Sequence, residues 1–203
     1  MSRIAKIVKS NSHVDYVARV IDRLDAERPP APTDYGFAQF VSAPLGREEE
    51  EVVGVVYTTM LSNPEYGSYG PRLSSHAELQ VLSPDYLNEQ GVLLGILLLG
   101  WRERAAGGGW EARHGVPRRV VPVGQEVFRM PDREVYDFHA GAGGELRLHY
   151  FSQVLAHAGP FAAPLVEAVL AQLEPACTPQ ERQRLCVLRK SLVWQRTVGG
   201  ARL

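Results

Sequence analysis

VVGVVYTTMLSNPEYGSYGPRLS, Val52 to Ser74, runs an apolar β-branched segment directly into a loop of tyrosine and glycine. Strand alternation puts Val53, Val55 and Tyr57 on one face and Val52, Gly54 and Val56 on the other. Both faces are apolar, so the segment reads as a central strand buried on two sides, with Gly54 marking a close backbone approach or a bend in a barrel wall.

The same punctuation continues outward from this strand. IAKIV, VDYVARVI, FAQFVSA, LQVLS, LLGILLLGW and RRVVPV are further strand-like runs, separated by KSNS, RPPAPTD, PLGREEEE and AAGGGWEARHG. Roughly six or seven strands predict a mainly β protein whose residues 1–126 form a small closed barrel. WRERAAGGGWEAR reads as a hairpin with Trp101 and Trp110 on either side, and Glu48 to Glu51 as a charged, solvated connection.

Beyond Met130 the character changes. MPDREVYDFH opens a connecting turn, Gly141 to Gly144 break it, and Glu145–His157 and Phe161–Leu173 are apolar at helical intervals. Thr178-Pro179-Gln180-Glu181 is a capping box with proline at the first helical position, predicting a last helix to about Thr197 with Leu185, Leu188 and Leu192 along one face. Residues 127–203 are therefore expected to form a helical extension of about three helices.

Composition sets the class. The chain has 203 residues, 45% hydrophobic and 22% charged, with a net charge of −1, which suits a globular fold rather than a disordered or fibrous one. The start carries no signal-peptide pattern, and Gly91 to Trp101 is about half the length of a bilayer crossing, so a cytoplasmic protein is expected. Cys177 and Cys186 lie on different turns of a helical tail and read as reduced thiols.

Most catalytic signatures are missing. No G-x-x-x-x-G-K-[ST] loop occurs, and GGGWEA at Gly107 to Ala112 is followed by strand and turn rather than a helix. Tyr66 spoils a serine elbow at Ser68, and the six histidines lack metal-site spacing. No cofactor and no metal are expected. Asp132, Glu134, Asp137 and His139 form the one cluster from which an enzyme reading can be built, although acids at a helix start also serve the dipole.

Two surfaces suit binding. Tyr66 and Tyr69, beside Gly67, Gly70 and the Asn63-Pro64-Glu65 turn, have the composition of a recognition loop, with Arg72 following; the same tyrosines fit a loop folded back on the barrel. Arg182, Arg189 and Arg196 recur every seven residues and make a stripe suited to phosphates or an acidic partner, or to a solvated helix edge.

IAKIVKSNSHVDYVARVID (Ile4 to Asp22), DYGFAQFVSA (Asp34 to Ala43), the Val52–Ser74 stretch and LQVLSPDYLNEQGVLLGILLLGW (Leu79 to Trp101) together resemble the HAS-barrel family. That barrel is shared by HerA-type DNA-translocating ATPases and the catalytic subunits of rotary ATP synthases. The resemblance implies an assembly and docking module. The chain departs from the full motor in lacking a phosphate-binding loop and a RecA-like core. It is thus expected to be a non-enzymatic adaptor for a HerA-like ATPase or NurA-like nuclease in DNA processing, with Asn63, Pro64, Tyr66, Tyr69 and Arg72 as partner contacts and Arg182, Arg189 and Arg196 as a second patch. The alternatives are a barrel that binds nucleic acid directly and an enzyme using the 132–139 cluster.

Overall fold

The computed structural model describes residues 2–46, 49–69, 85, 89–105, 107–141 and 145–199, of which 67–69, 188 and 191–199 are described for the backbone alone. Its strands are β1 (Ser2–Ser10), β2 (Asp15–Val20), β3 (Phe40–Pro44), β4 (Glu50–Ser62), β5 (Gly91–Arg104), β6 (Trp110–His114) and β7 (Glu126–Arg129). Six of them close a ring in the order β1, β2, β5, β4, β3, β7 and back to β1, with every pairing antiparallel. The expected barrel is present, and β6 is an extra strand that, among the described residues, pairs with β5 alone.

The opening stretch is the central strand its alternation demands. Val52, Val53, Val55 and Val56 are all buried between β3 and β5. Gly54 sits at a register shift in the β4–β5 pairing. A Cβ there would meet Ile96 Cγ2 at 2.8 Å and the Leu97 carbonyl oxygen at 3.0 Å. Gly54→Ala is therefore expected to cost about 1–3 kcal/mol, because the paired backbone has little freedom to retreat. The check is a lowered urea midpoint at constant m; an unchanged midpoint would show that the wall is loose there.

The barrel interior is packed with apolar side chains. Ile7, Val41, Val52, Ile96, Leu98, Val121 and Val127 line a cavity there of only about 10 Å³. RRVVPV, expected as a strand, is instead a loop. Pro117 and Pro122 remove donors on either side of it, the Val121 amide donates to the Tyr16 hydroxyl at 3.2 Å, and Val120 and Val123 are exposed. The strand in that region is β7, which spans the boundary expected at residue 126 and joins β1 to β3.

The helices are α1 (Pro64–Tyr69), α2 (Asp132–His139), α3 (Phe151–His157), α4 (Ala162–Leu173) and α5 (Pro179–Gly199). MPDREVYDFH is thus a helix rather than a connecting turn. Conversely, residues 145–150 are not helical: the chain doubles back against the end of α2, with Ala140 bridged to Leu146 and the Arg147 amide donating to the His139 carbonyl at 2.9 Å. Leu165 and Leu170 of α4 are fully buried in the same core as Val55 and Leu99, so the extension packs on the barrel. Gln153 of α3 also donates to the Leu98 carbonyl at 2.5 Å, beside the β5 irregularity.

The capping box forms as expected. The Thr178 amide donates to Glu181 at 2.7 Å and the Glu181 amide to the Thr178 hydroxyl at 3.4 Å. Leu185 is buried; the side chains of Leu188 and Leu192 and the run LQVLS lie outside the described residues. Cys177 and Cys186 are free thiols. Among the described residues no helix is long and apolar enough to cross a membrane.

Candidate functional site: a cationic cleft along strand β6

Two features meet at β6, a buried polar junction on one face and an arginine-lined cleft along its outer edge. The junction centres on Arg102, only 2% exposed. Register places Glu51 directly across from it on β4. Arg102 Nε donates to Glu51 at 2.9 Å, and its amino group reaches Glu51 at 2.8 Å and Glu134 of α2 at 2.6 Å. Its guanidinium also lies over the Trp110 ring at 4.6 Å. One side chain thus ties β4, β5, β6 and α2 together. The glutamates expected as a solvated connection are therefore partly structural, since Glu50 and Glu51 belong to β4 and Glu51 is buried; Glu48 lies outside the described residues.

His139 lies beyond this pair and is completely buried. Its Nδ1 is 2.6 Å from the Val135 carbonyl, which can only accept, so Nδ1 carries the proton. Nε2 is then the acceptor for the Tyr150 hydroxyl at 2.6 Å. Burial pushes the imidazole pKa down to about 3 and the Tyr150 phenol up. His114 of β6 donates from Nε2 to the Phe138 carbonyl at 3.0 Å, and burial lowers its pKa to about 4. Its Nδ1 is buried with no partner among the described residues.

The cleft has a volume of about 850 Å³ and lies between the β5–β6 hairpin, the loop carrying Arg118 and Arg119, and the segment carrying Arg147 and His149. It also carries three acids. Two are paired in place, Glu50 with Arg119 at 3.0 Å and Glu111 with Arg113 at 3.0 Å, while Glu103 accepts from the Trp101 indole at 3.0 Å and keeps its charge, leaving four arginines against three carboxylates. Arg118 makes no ion pair among the described residues. Arg147 spends one amino group on the Ala140 carbonyl at 2.8 Å, while its Nε is buried without a partner among the described residues. The cleft is therefore set up to receive negative charge.

The model of the family described as "Domain of unknown function (DUF8166)" matches residues 1–202. The chain belongs to DUF8166. No curated protein matches it.

In this DUF8166 protein the sequence candidates divide. Asn63 and Pro64 start α1 rather than a simple turn: the Glu65 amide donates to the Asn63 side chain at 3.2 Å, and Gln90 to the same oxygen at 3.3 Å. Tyr66 projects into solvent, 64% exposed. Tyr69 is placed by its backbone in α1, while its side chain and Arg72 lie outside the described residues. On α5, Arg182 donates to the Glu174 carbonyl at 3.3 Å and Arg189 pairs with the Glu174 carboxylate at 2.9 Å. Both therefore help fasten α5 to the end of α4; the Arg196 side chain is not among those described.

The 132–139 cluster does not converge. Glu134 serves Arg102, Asp137 faces Arg133 at 3.6 Å, Asp132 accepts from Gln172 at 3.4 Å, and His139 points into the core. No group able to hold a metal ion occurs among the described residues. The cleft itself was invisible to sequence motifs, because its arginines come from Arg113, Arg118, Arg119 and Arg147 on three separate segments.

Proposed function

We propose that this DUF8166 protein is a non-catalytic, cytoplasmic docking module whose partner is a protein of the HerA-like ATPase or NurA-like nuclease class. The observation that carries the reading is the closed ring packed inside with apolar side chains around a cavity of about 10 Å³, so recognition falls to its outer surface. Tyr66 on α1 and the cationic cleft along β6 are the two surfaces with recognition chemistry. The partner class comes from the sequence resemblance to the HAS barrel, and the absence of a phosphate-binding loop in the sequence leaves any ATP turnover to the partner.

The test is a calorimetric titration of the chain with the HerA-like and NurA-like proteins of the same genome, beside a salt titration with labelled duplex DNA. Saturable 1:1 binding to one of the proteins at about 1 μM or tighter is expected, weakened roughly tenfold by Tyr66→Ala. DNA affinity is expected to be weak at low salt. Tight DNA binding that falls steeply with salt, without protein binding, would establish a nucleic-acid-binding barrel instead.

A further inference from the structure

β6 ends the sheet. Among the described residues it pairs with β5 on one side and with no strand on the other. Gly115 donates its amide to Leu99 and Ala105 to Gly109, each at 2.9 Å. By the two-residue alternation of an antiparallel ladder, Glu111 and Arg113 then exchange their bonds with β5, and the backbone N–H and C=O of Ala112 point to the open side.

The cleft runs along that same edge. Glu111, Ala112, Arg113 and His114 all line it, although successive side chains of a strand leave on opposite faces. A cavity touching four consecutive strand residues takes in the backbone edge, and it continues over the sheet face that carries Glu50, Trp101 and Glu103. Its volume of about 850 Å³ has room for several residues of an extended chain, and a single small anion would fill only a fraction of it. The charges without an ion-pair partner are Arg118 and Arg147 against Glu103, a cationic balance, and Val116 and Val120 of the same loop as Arg118 are 54% and 65% exposed. Two copies of this chain paired edge to edge would bring the two sets of unneutralised arginines together, which disfavours self-association.

We infer that the open edge of β6 captures an extended acidic segment of a partner protein, which adds as a strand to the β5–β6 hairpin with its carboxylates toward Arg118 and Arg147. The inference rests on the docking reading and names the kind of segment that such a partner must present. Main-chain bonds to Ala112 supply alignment, and the arginines select alternating acid and apolar residues.

A display library of random dodecapeptides panned against the folded full chain tests this. Enriched peptides are expected to carry Asp or Glu at alternate positions. Ala112→Pro, which removes an outward donor at an edge position where proline is tolerated, is expected to weaken a synthetic copy at least about tenfold. Arg118→Glu is expected to do the same, with both variants keeping the parent's circular dichroism and melting temperature. If Ala112→Pro melts early, N-methylation of the peptide at alternate residues asks the same question of the ligand, and a methylated peptide that binds like the parent overturns strand addition. The inference is also overturned by failure to enrich acidic peptides, by Ala112→Pro binding as the parent does, or by a free-protein dimer that Ala112→Pro dissociates. Peptide capture without binding to the HerA-like or NurA-like proteins would overturn the partner class alone; the reverse would overturn this inference alone.

Discussion

Arg102→Ala is expected to destabilise the protein by about 3–5 kcal/mol, lowering the melting temperature by roughly 10 °C. The cause is the isolation of Glu51 rather than the loss of attraction. Glu51 is 7% exposed and has both hydrogen bonds from the Arg102 guanidinium on one of its oxygens. With the arginine gone, that carboxylate stays buried without a countercharge, and Trp110 loses one of the two guanidinium groups on its ring, Arg104 remaining at 4.2 Å. Adding Glu51→Gln to Arg102→Met should recover a large part of the loss, because a neutral pair of similar volume no longer buries a charge. Thermal melts of the four proteins in the cycle check this. Equal losses in the single and double variants would mean that the junction acts through packing alone.

The second large effect is loss of stability in acid. His139 and His114 have folded pKa values lowered by burial to about 3 and about 4, against an ordinary 6.5. For a depressed histidine the unfolded chain takes up the proton first. Stability is therefore complete above about pH 6.5 and falls as the pH drops toward the folded values. By pH 5 the gap at His139 amounts to about 2 kcal/mol, from 1.5 pH units at 1.36 kcal/mol each, with a comparable share from His114, whose folded value also lies below pH 5; the two diverge only below about pH 4. Tyr150→Phe removes the donor to His139 Nε2 and should cost about 1–3 kcal/mol at pH 7 by leaving a buried acceptor unsatisfied. NMR of the imidazole carbons gives the direct reading. The His139 signals should not move between pH 7 and pH 5 while the melting temperature falls. Titration of His139 near pH 6.5 with flat stability would contradict the assignment.

The barrel was legible because its central strands carry no polar residue to misread. Val52 to Val56 and Leu93 to Leu99 have only Gly54 and Gly95 as interruptions, and both glycines stand where a neighbouring strand crowds the backbone. Thr178 to Glu181 was legible for a different reason, since its capping bonds are local and depend on spacing alone. The errors fell where long-range partners decide. RRVVPV has strand composition, but two prolines and the reach of the Tyr16 hydroxyl to Val121 turn it into the loop that plugs the barrel. Glu51 looks solvated beside Glu49 and Glu50 until the register sets it opposite Arg102. A faint signal existed, in that Glu51 continues the apolar Val53, Val55 face, which packs under the helices; only the pairing, which sets Arg102 opposite it past the register shift at Gly54, converts that alternation into an ion pair. Glu145 to Leu148 have a helical period yet form a return segment bridged to the end of α2, since the Ala140–Leu146 bridge and the Arg147 amide bond to the His139 carbonyl are long-range pairings that periodicity does not report.

The candidate site was less legible than the fold. Asn63, Pro64 and Tyr66 were singled out by composition, and the structure gives the first two a capping role and leaves Tyr66 in solvent. The cleft along β6 depends on arginines brought together from residues 113 to 147 by the hairpin, the proline-bounded loop and the doubled-back segment. None of these is close enough in sequence to form a motif.

Closure of the ring is the claim on which the docking account stands, and amide hydrogen exchange of β2 tests it most directly. β2 bonds to β1 on one side and to β5 on the other. Consecutive amides from Tyr16 to Arg19 are therefore predicted to exchange slowly without alternation, while Ala112 on the open edge of β6 exchanges fast. Alternating fast and slow amides along Tyr16 to Arg19 would mean that β2 is itself an edge, and the closed-barrel account would be contradicted.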